Sequence, residues 1–126
     1  DLVRSRGLGD VYKRQIQITR DHSWVEEMVQ RGEIDRKAAR THEKKNVITR
    51  AIGGYDTVEA EMFSVDLKKE DMILMCSDGL TNMLEDQEIF HIIKSSHDIR
   101  EAAERLVSRA NDNGGRDNIS VILIEP

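Results

Sequence analysis

Apolar positions fall into short blocks along this chain, and the period changes from block to block. The clearest block is Ile99, Ala102, Ala103, Leu106, Val107 and Ala110, whose three- and four-residue spacing lays one apolar stripe along a helix. Asp98 stands where an N-cap accepts from the backbone, and Glu101 can answer from the third position. The helix is expected to stop within 111–115, whose Asn and Gly residues tolerate left-handed backbone. Ile89, Phe90, Ile92 and Ile93 mark the apolar face of a second helix over about 86–94. Ser23 and Glu26 form an S-x-x-E capping box, Val25, Met28 and Val29 share the face that follows, and Gly32 sits where a left-handed C-terminal cap belongs. A short helix capped by Asp35 is expected over 35–40, and the polar run 41–46 reads as loop.

Other blocks have the period of strands. Residues 16–19 look like a strand end. Residues 58–67 alternate with one slip at Met62 and Phe63, as a half-exposed strand with a bulge would. Residues 72–76 are continuously apolar, which predicts a strand covered on both faces. In 119–124, Val121 and Leu123 lie on one face and Ile122 and Ile124 on the other, and again both faces are expected to be covered. The mixture predicts an α+β fold in one structural unit, with no repeat, linker or low-complexity tract.

The first fifteen residues break the pattern. They have no consistent hydrophobic period and a basic bias unlike the rest. Residues 10–15 read DVYKRQ, which GATGTGTATAAGAGACAG encodes, and that string resembles a transposase end used in preparing sequencing libraries. Residues 1–15 are therefore expected to be a translated adapter scar, with the genuine chain beginning near Ile16.

With 38% apolar and 34% charged residues the chain has the composition of an ordinary globular protein, and its net charge of -5 argues against nucleic acid or an anionic membrane as partner. An anionic substrate would need a local cation such as a metal. No apolar run approaches a membrane span and no signal-peptide pattern is present, so the expected compartment is the cytoplasm. Cys76, the single cysteine, lies in an apolar run and reads as a small core residue.

Two carboxylates stand at the mouths of apolar strands beside residues that permit tight backbone. Asp78 follows 72–76 and precedes Gly79; Asp117 follows Gly114 and Gly115 and precedes 119–124. Antiparallel pairing of those strands would bring the two aspartates together. Such a pair repels itself, and a hard divalent cation with oxygen ligands resolves the repulsion, whereas clustered Cys and His for zinc are absent. On spacing alone the structural reading prevails, because Asp is a common turn residue and Asp-Gly a common turn dipeptide. The loop also fails the D-x-[DN]-x-[DN]-G pattern of an EF-hand.

Four motifs change that balance. Ile18-Thr19-Arg20-Asp21-His22-Ser23, Asn46-Val47-Ile48-Thr49-Arg50-Ala51-Ile52-Gly53, Leu74-Met75-Cys76-Ser77-Asp78-Gly79-Leu80-Thr81 and Gly115-Arg116-Asp117-Asn118-Ile119-Ser120-Val121 resemble, in order, the C-terminal motifs of bacterial metal-dependent type 2C serine/threonine protein phosphatases. The resemblance runs from residue 16 to residue 126; Glu70 stands where that family usually has Gly, and Ser120 where it has Thr. It implies the C-terminal half of a four-layer α-β-β-α sandwich with two antiparallel sheets, and a flap over about 33–46. It implies Asp78 and Asp117 as ligands of Mn2+ or Mg2+, two or three ions in the complete domain, with Gly79 and Asn118 supporting the motif. Two ions there would activate a water toward the phosphorus of phosphoserine or phosphothreonine. His42 in the flap and Arg50 become candidate substrate contacts, although a solvated loop is an equal reading for His42 and a structural ion pair the plainer one for Arg50. His22 is expected to order the loop before Ser23, and Trp24 and Phe90 to pack rather than bind ligand.

The implied partners are phosphorylated proteins, among them a Ser/Thr kinase and its substrates, with the complete enzyme a monomer. Asp-Gly-His-Gly-Gly, the N-terminal acidic ligand, the phosphate-binding Arg segment and Gly-Asp-Ser-Arg do not occur in this chain. The chain alone is therefore expected to be inactive. The competing expectation is a regulatory or interaction module of the same fold without catalysis.

Overall fold

The computed structural model describes residues 2–5 and 15–126. They fall into two compact units: residues 1–19 with 65–126, and residues 20–64.

The larger unit holds one antiparallel sheet in the order β2-β1-β3-β4, made of β1 (Leu2–Ser5), β2 (Gln15–Gln17), β3 (Met72–Cys76) and β4 (Val121–Ile124). Leu2–Ser5, inside the segment expected to be foreign, is a strand all the same, since an extended backbone can fill a free ladder position. Most of 6–15, with the bulk of the DVYKRQ stretch, lies outside the described residues. The strand end expected at 16–19 is placed at Gln15–Gln17.

β3 and β4 pair with Ile73 opposite Ile124, Leu74 opposite Leu123, Met75 opposite Ile122 and Cys76 opposite Val121. Directly opposed residues share a face, so Leu74, Leu123, Cys76 and Val121 form one side and Ile73, Met75, Ile122 and Ile124 the other. The first side packs on helices α3 (Asp78–Thr81), α4 (Asp86–Ser95) and α5 (Ile99–Asp112) through a core of Leu74, Leu80, Leu84, Ile89, Ile92, Ile93, Ala102, Leu106 and Ala110. The second side stays open: Met75 is 43%, Ile122 57% and Ile124 41% exposed. The expectation that both faces of these strands are covered is therefore wrong for this chain, because a continuous apolar run shows what could be buried and not what is present to bury it.

Both long helices follow their patterns. Asp98 caps α5 by accepting from the Glu101 amide at 2.8 Å, and the Glu101 carboxylate accepts in turn from the His97 amide, one residue before the cap. Ala102, Leu106 and Ala110, four residues apart, are the buried stripe, and Asn113 to Gly115 end it through Gly114 and Gly115 at positive φ. Phe90 is a packing residue, 7% exposed, with Lys94 Nζ 5.7 Å from its ring centroid.

In the smaller unit, α1 (Trp24–Gln30) is capped by Ser23, whose hydroxyl accepts from the Glu26 amide at 3.2 Å. The reciprocal half of the expected box is not made. The Glu26 carboxylate is buried and instead takes Gln30 Nε2 at 3.0 Å and a forked contact from Arg36, which neutralises it across to α2 (Arg36–Thr41). Asp35 caps α2 through the Ala38 amide at 2.6 Å. Val25, Met28 and Ala39 are the buried apolar residues of this unit.

The strand expected over 58–67 is absent: these residues form no strand, and Val58, Met62, Phe63 and Leu67 are exposed. Alternation provides an apolar face but no hydrogen-bonding partner, and both edges of β3 are already taken by β1 and β4.

Candidate metal centre

The end of the β3–β4 pair is closed by one side chain. Beyond the last pair, Cys76 opposite Val121, the Ser77 amide donates to the Ser120 carbonyl at 3.0 Å. The Ser77 hydroxyl accepts from the Ser120 amide at 3.0 Å and donates to the Asn118 carbonyl at 3.2 Å. Ser77 is also the N-cap of α3, yet its side chain makes no capping bond, because it is spent on the neighbouring loop. The two loops that follow β3 and precede β4 are thereby stitched together.

Gly79 makes the stitch possible. A Cβ there would lie 2.1 Å from the Asn118 carbonyl oxygen and 2.9 Å from its carbon, so the second residue of α3 has to be glycine for the loop to come this close. On the other strand, the chain leaves α5 through Gly114 at φ 133° and Gly115 at φ 50°, with Gly115 N donating to the Ala110 carbonyl at 3.1 Å. Asn113 Nδ2 reaches the Met83 carbonyl at 3.0 Å and ties this turn to the segment after α3.

Asp78 and Asp117 stand on these stitched loops, Asp78 as the first residue of α3 and Asp117 one residue before Asn118. Both are exposed. Asp117 Oδ1 accepts from the Asn118 amide at 2.7 Å, and among the described residues neither carboxylate is paired with a Lys, Arg or His. The condition set by the sequence, antiparallel pairing of the two strands, is met, and Asp78, Gly79, Asp117 and Asn118 belong to one end of one sheet. The donor set fits a hard cation, being two carboxylates with open lone pairs on a braced backbone. It is a partial set: among the described residues no group of three or more His, Cys, Asp or Glu could hold an ion.

The other two candidates belong to the smaller unit. His42 closes α2, its Nδ1 accepting from the Lys44 amide at 3.0 Å and its ring centroid 5.2 Å from that of Trp24. Lys44 Nζ lies 5.1 Å from the Trp24 ring, so Trp24 packs under polar side chains of the loop. Arg50 is held by Glu61, with Nη1 3.3 Å from Oε1 and 3.4 Å from the Glu59 carbonyl. His22 Nε2 is 3.2 Å and Arg20 Nη2 4.0 Å from the same Glu61 oxygen. The contact with His22 first, then the charges of His22, Arg50 and Arg20, hold the Glu61 carboxyl below its ordinary value against a desolvation that pushes the other way.

Sequence reasoning missed two residues here. The double role of Ser77 is invisible because its partners lie more than forty positions away, although a Ser before Asp-Gly at a strand end is a weak signal. Glu61 gave no signal at all, lying inside a stretch read as strand.

Residues 2–119 match the family model described as Protein phosphatase 2C. The chain is 43% identical over 109 residues to the serine/threonine phosphatase stp of Listeria monocytogenes serotype 4b, covering 86% of this chain and 43% of that protein. Its fold superposes on the Mycobacterium tuberculosis serine/threonine phosphatase PstP/Ppp with a TM-score of 0.86 at 30% identity, over 98% of this chain and 50% of that one. It also superposes, with a TM-score of 0.82 at 28% identity, on the catalytic domain of PstP in complex with two manganese ions, covering 98% of this chain and 48% of that domain. The chain thus spans about half the length of the relatives it matches.

Proposed function

Because the chain belongs to the protein phosphatase 2C family, we propose that its parent protein is a metal-dependent enzyme that hydrolyses phosphoserine and phosphothreonine in proteins, opposing a Ser/Thr kinase in the cytoplasm. The observation that carries the reading is the stitched end of β3 and β4, where Ser77 and Gly79 hold the Asp78 loop against the Asn118 loop that carries Asp117. Among the described residues no helix is long and apolar enough to cross a membrane. Two carboxylates on adjoining loops, neither paired with a Lys, Arg or His among the described residues, are open to a divalent ion that would draw a phosphoryl group in.

Asp78 and Asp117 would hold Mn2+ or Mg2+, the ion preference following from oxygen donors and the manganese complex of the PstP catalytic domain. Such an ion supplies charge neutralisation at the phosphoryl oxygens and lowers the pKa of the attacking water. This chain's own part is to fix the two carboxylates: Ser77 by three hydrogen bonds, Gly79 by permitting contact, and the Gly114–Gly115 turn by releasing the chain from α5. The remaining ligands would belong to the part of the domain that this chain does not span, and 33–46 would be a flap carrying His42. Arg50, already committed to Glu61, acts structurally rather than on phosphate.

The uncovered sheet face of Met75, Ile122 and Ile124 is the surface on which the second sheet of a sandwich would rest. The test is hydrolysis of a phosphothreonine peptide by the complete parent protein in Mn2+ and in EDTA. Release of phosphate that requires the ion is expected. A folded parent that binds the phosphopeptide but does not hydrolyse it in Mn2+ contradicts the reading and favours the catalytically dead module.

A further inference from the structure

Residues 51–60 are all exposed, and Ile52 at 94% and Tyr55 at 78% are bare apolar side chains. A turn at its start is marked by Gly54 N donating to the Ala51 carbonyl at 3.4 Å and by Gly53 at φ 84°. From 55 to 64 the chain has no helix or strand and makes no backbone–backbone hydrogen bond among the described residues. What returns it to the unit is electrostatic. On the departing side the backbone is secured: Trp24 N donates to the Val47 carbonyl and Thr49 N to the His22 carbonyl, each at 2.9 Å, and Ser23 bridges Ile48. On the returning side Glu61 meets Arg50, His22 and Arg20, and the Glu59 carbonyl accepts from Arg50.

We propose that residues 51–60 form a strap latched at its base by the Glu61 carboxylate against Arg50, His22 and Arg20, so that losing this one charge releases the strap while the helices of the unit stay folded. The independence follows from the inventory of bonds: α1 and α2 are held by the Ser23 and Asp35 caps and the Glu26–Arg36 pair, none of which involves Glu61. One carboxylate gathering two guanidinium groups and an imidazole from two segments of chain is also hard to replace. Its neutral isostere keeps the shape and loses every charge contact at once. Ion pairs this accessible are screened by salt, so the latch loosens as ionic strength rises.

Chymotrypsin cleavage after Tyr55 under native conditions reads the strap directly, with the complete parent protein as substrate and mass spectrometry identifying the site. Glu61→Gln should raise the cleavage rate about five- to tenfold at low salt, as the open population grows by the sum of several surface ion pairs, with the melting temperature of the domain nearly unchanged. Salt should raise the wild-type rate toward that of the variant and leave the variant flat. Equal rates for wild type and Glu61→Gln at low salt overturn the proposal. Should Glu61→Gln fail to fold, the wild-type salt series decides alone: a rise in Tyr55 cleavage supports the latch, and a rate independent of salt overturns it.

Discussion

Replacing Asp78 or Asp117 by Asn in the complete parent protein is expected to lower phosphothreonine-peptide hydrolysis on the order of a hundredfold or more while leaving the fold intact. Asn keeps the shape and one neutral oxygen. It loses the charge that holds a divalent ion and that sets the acidity of its water. Folding survives because both side chains are exposed and, among the described residues, make almost no protein contact: the Asp117 bond to the Asn118 amide, which an Asn oxygen can also accept, is the one observed there. The double variant should be no worse than the poorer single one, since both substitutions empty a shared site and the second acts on a site already vacated. Peptide dephosphorylation rates for the four proteins check this; losses that multiply would mean that the two aspartates serve separate steps.

Gly79→Ala is expected to destabilise the parent by about 2–3 kcal/mol, lowering its melting temperature by several degrees, and to abolish most activity with it. Two effects oppose each other at this position. Gly79 is helical, and Ala is favoured over Gly in a helix by about 1 kcal/mol, so propensity alone predicts a more stable protein. Sterics decides the sign. The added Cβ meets the Asn118 carbonyl at 2.1 Å, and that carbonyl is backbone, held by Ser77, so no side chain can swing away to relieve the clash. The relief has to come from separating the two loops, which moves Asp78 from Asp117. A variant with an unchanged melting temperature and full activity would show that the close approach at Gly79 does not position the site.

What was legible in the sequence was local. Ser23, Asp35 and Asp98 each cap a helix through the amide three residues on, a relation that spacing encodes completely. The buried stripe of α5 and the face of α4 followed from period alone, whereas the antiparallel pairing of β3 with β4 stood in the sequence only as a condition, which the structure meets. The metal candidates were placed by motif order and not by spacing, which by itself left Asp78 as a turn residue.

What was lost depends on distant partners. The Glu26 carboxylate abandoned its capping role for Arg36, ten residues away, because a buried charge gains more from a guanidinium than from an amide. Residues 58–67 carry the alternation of a strand but pair with none of the described strands, and alternation cannot report a missing partner.

The central claim is that Asp78 and Asp117 hold the ion, and thermal melting of the parent with and without Mn2+ tests it without relying on catalysis. In EDTA both Asn variants should melt near the wild-type temperature, since both side chains are exposed and make few protein contacts among the described residues. Saturating Mn2+ should stabilise the wild type by linkage, about 2.7 kcal/mol at a hundred times Kd, and stabilise either variant much less. Equal stabilisation of all three proteins by Mn2+ would remove Asp78 and Asp117 from the metal site.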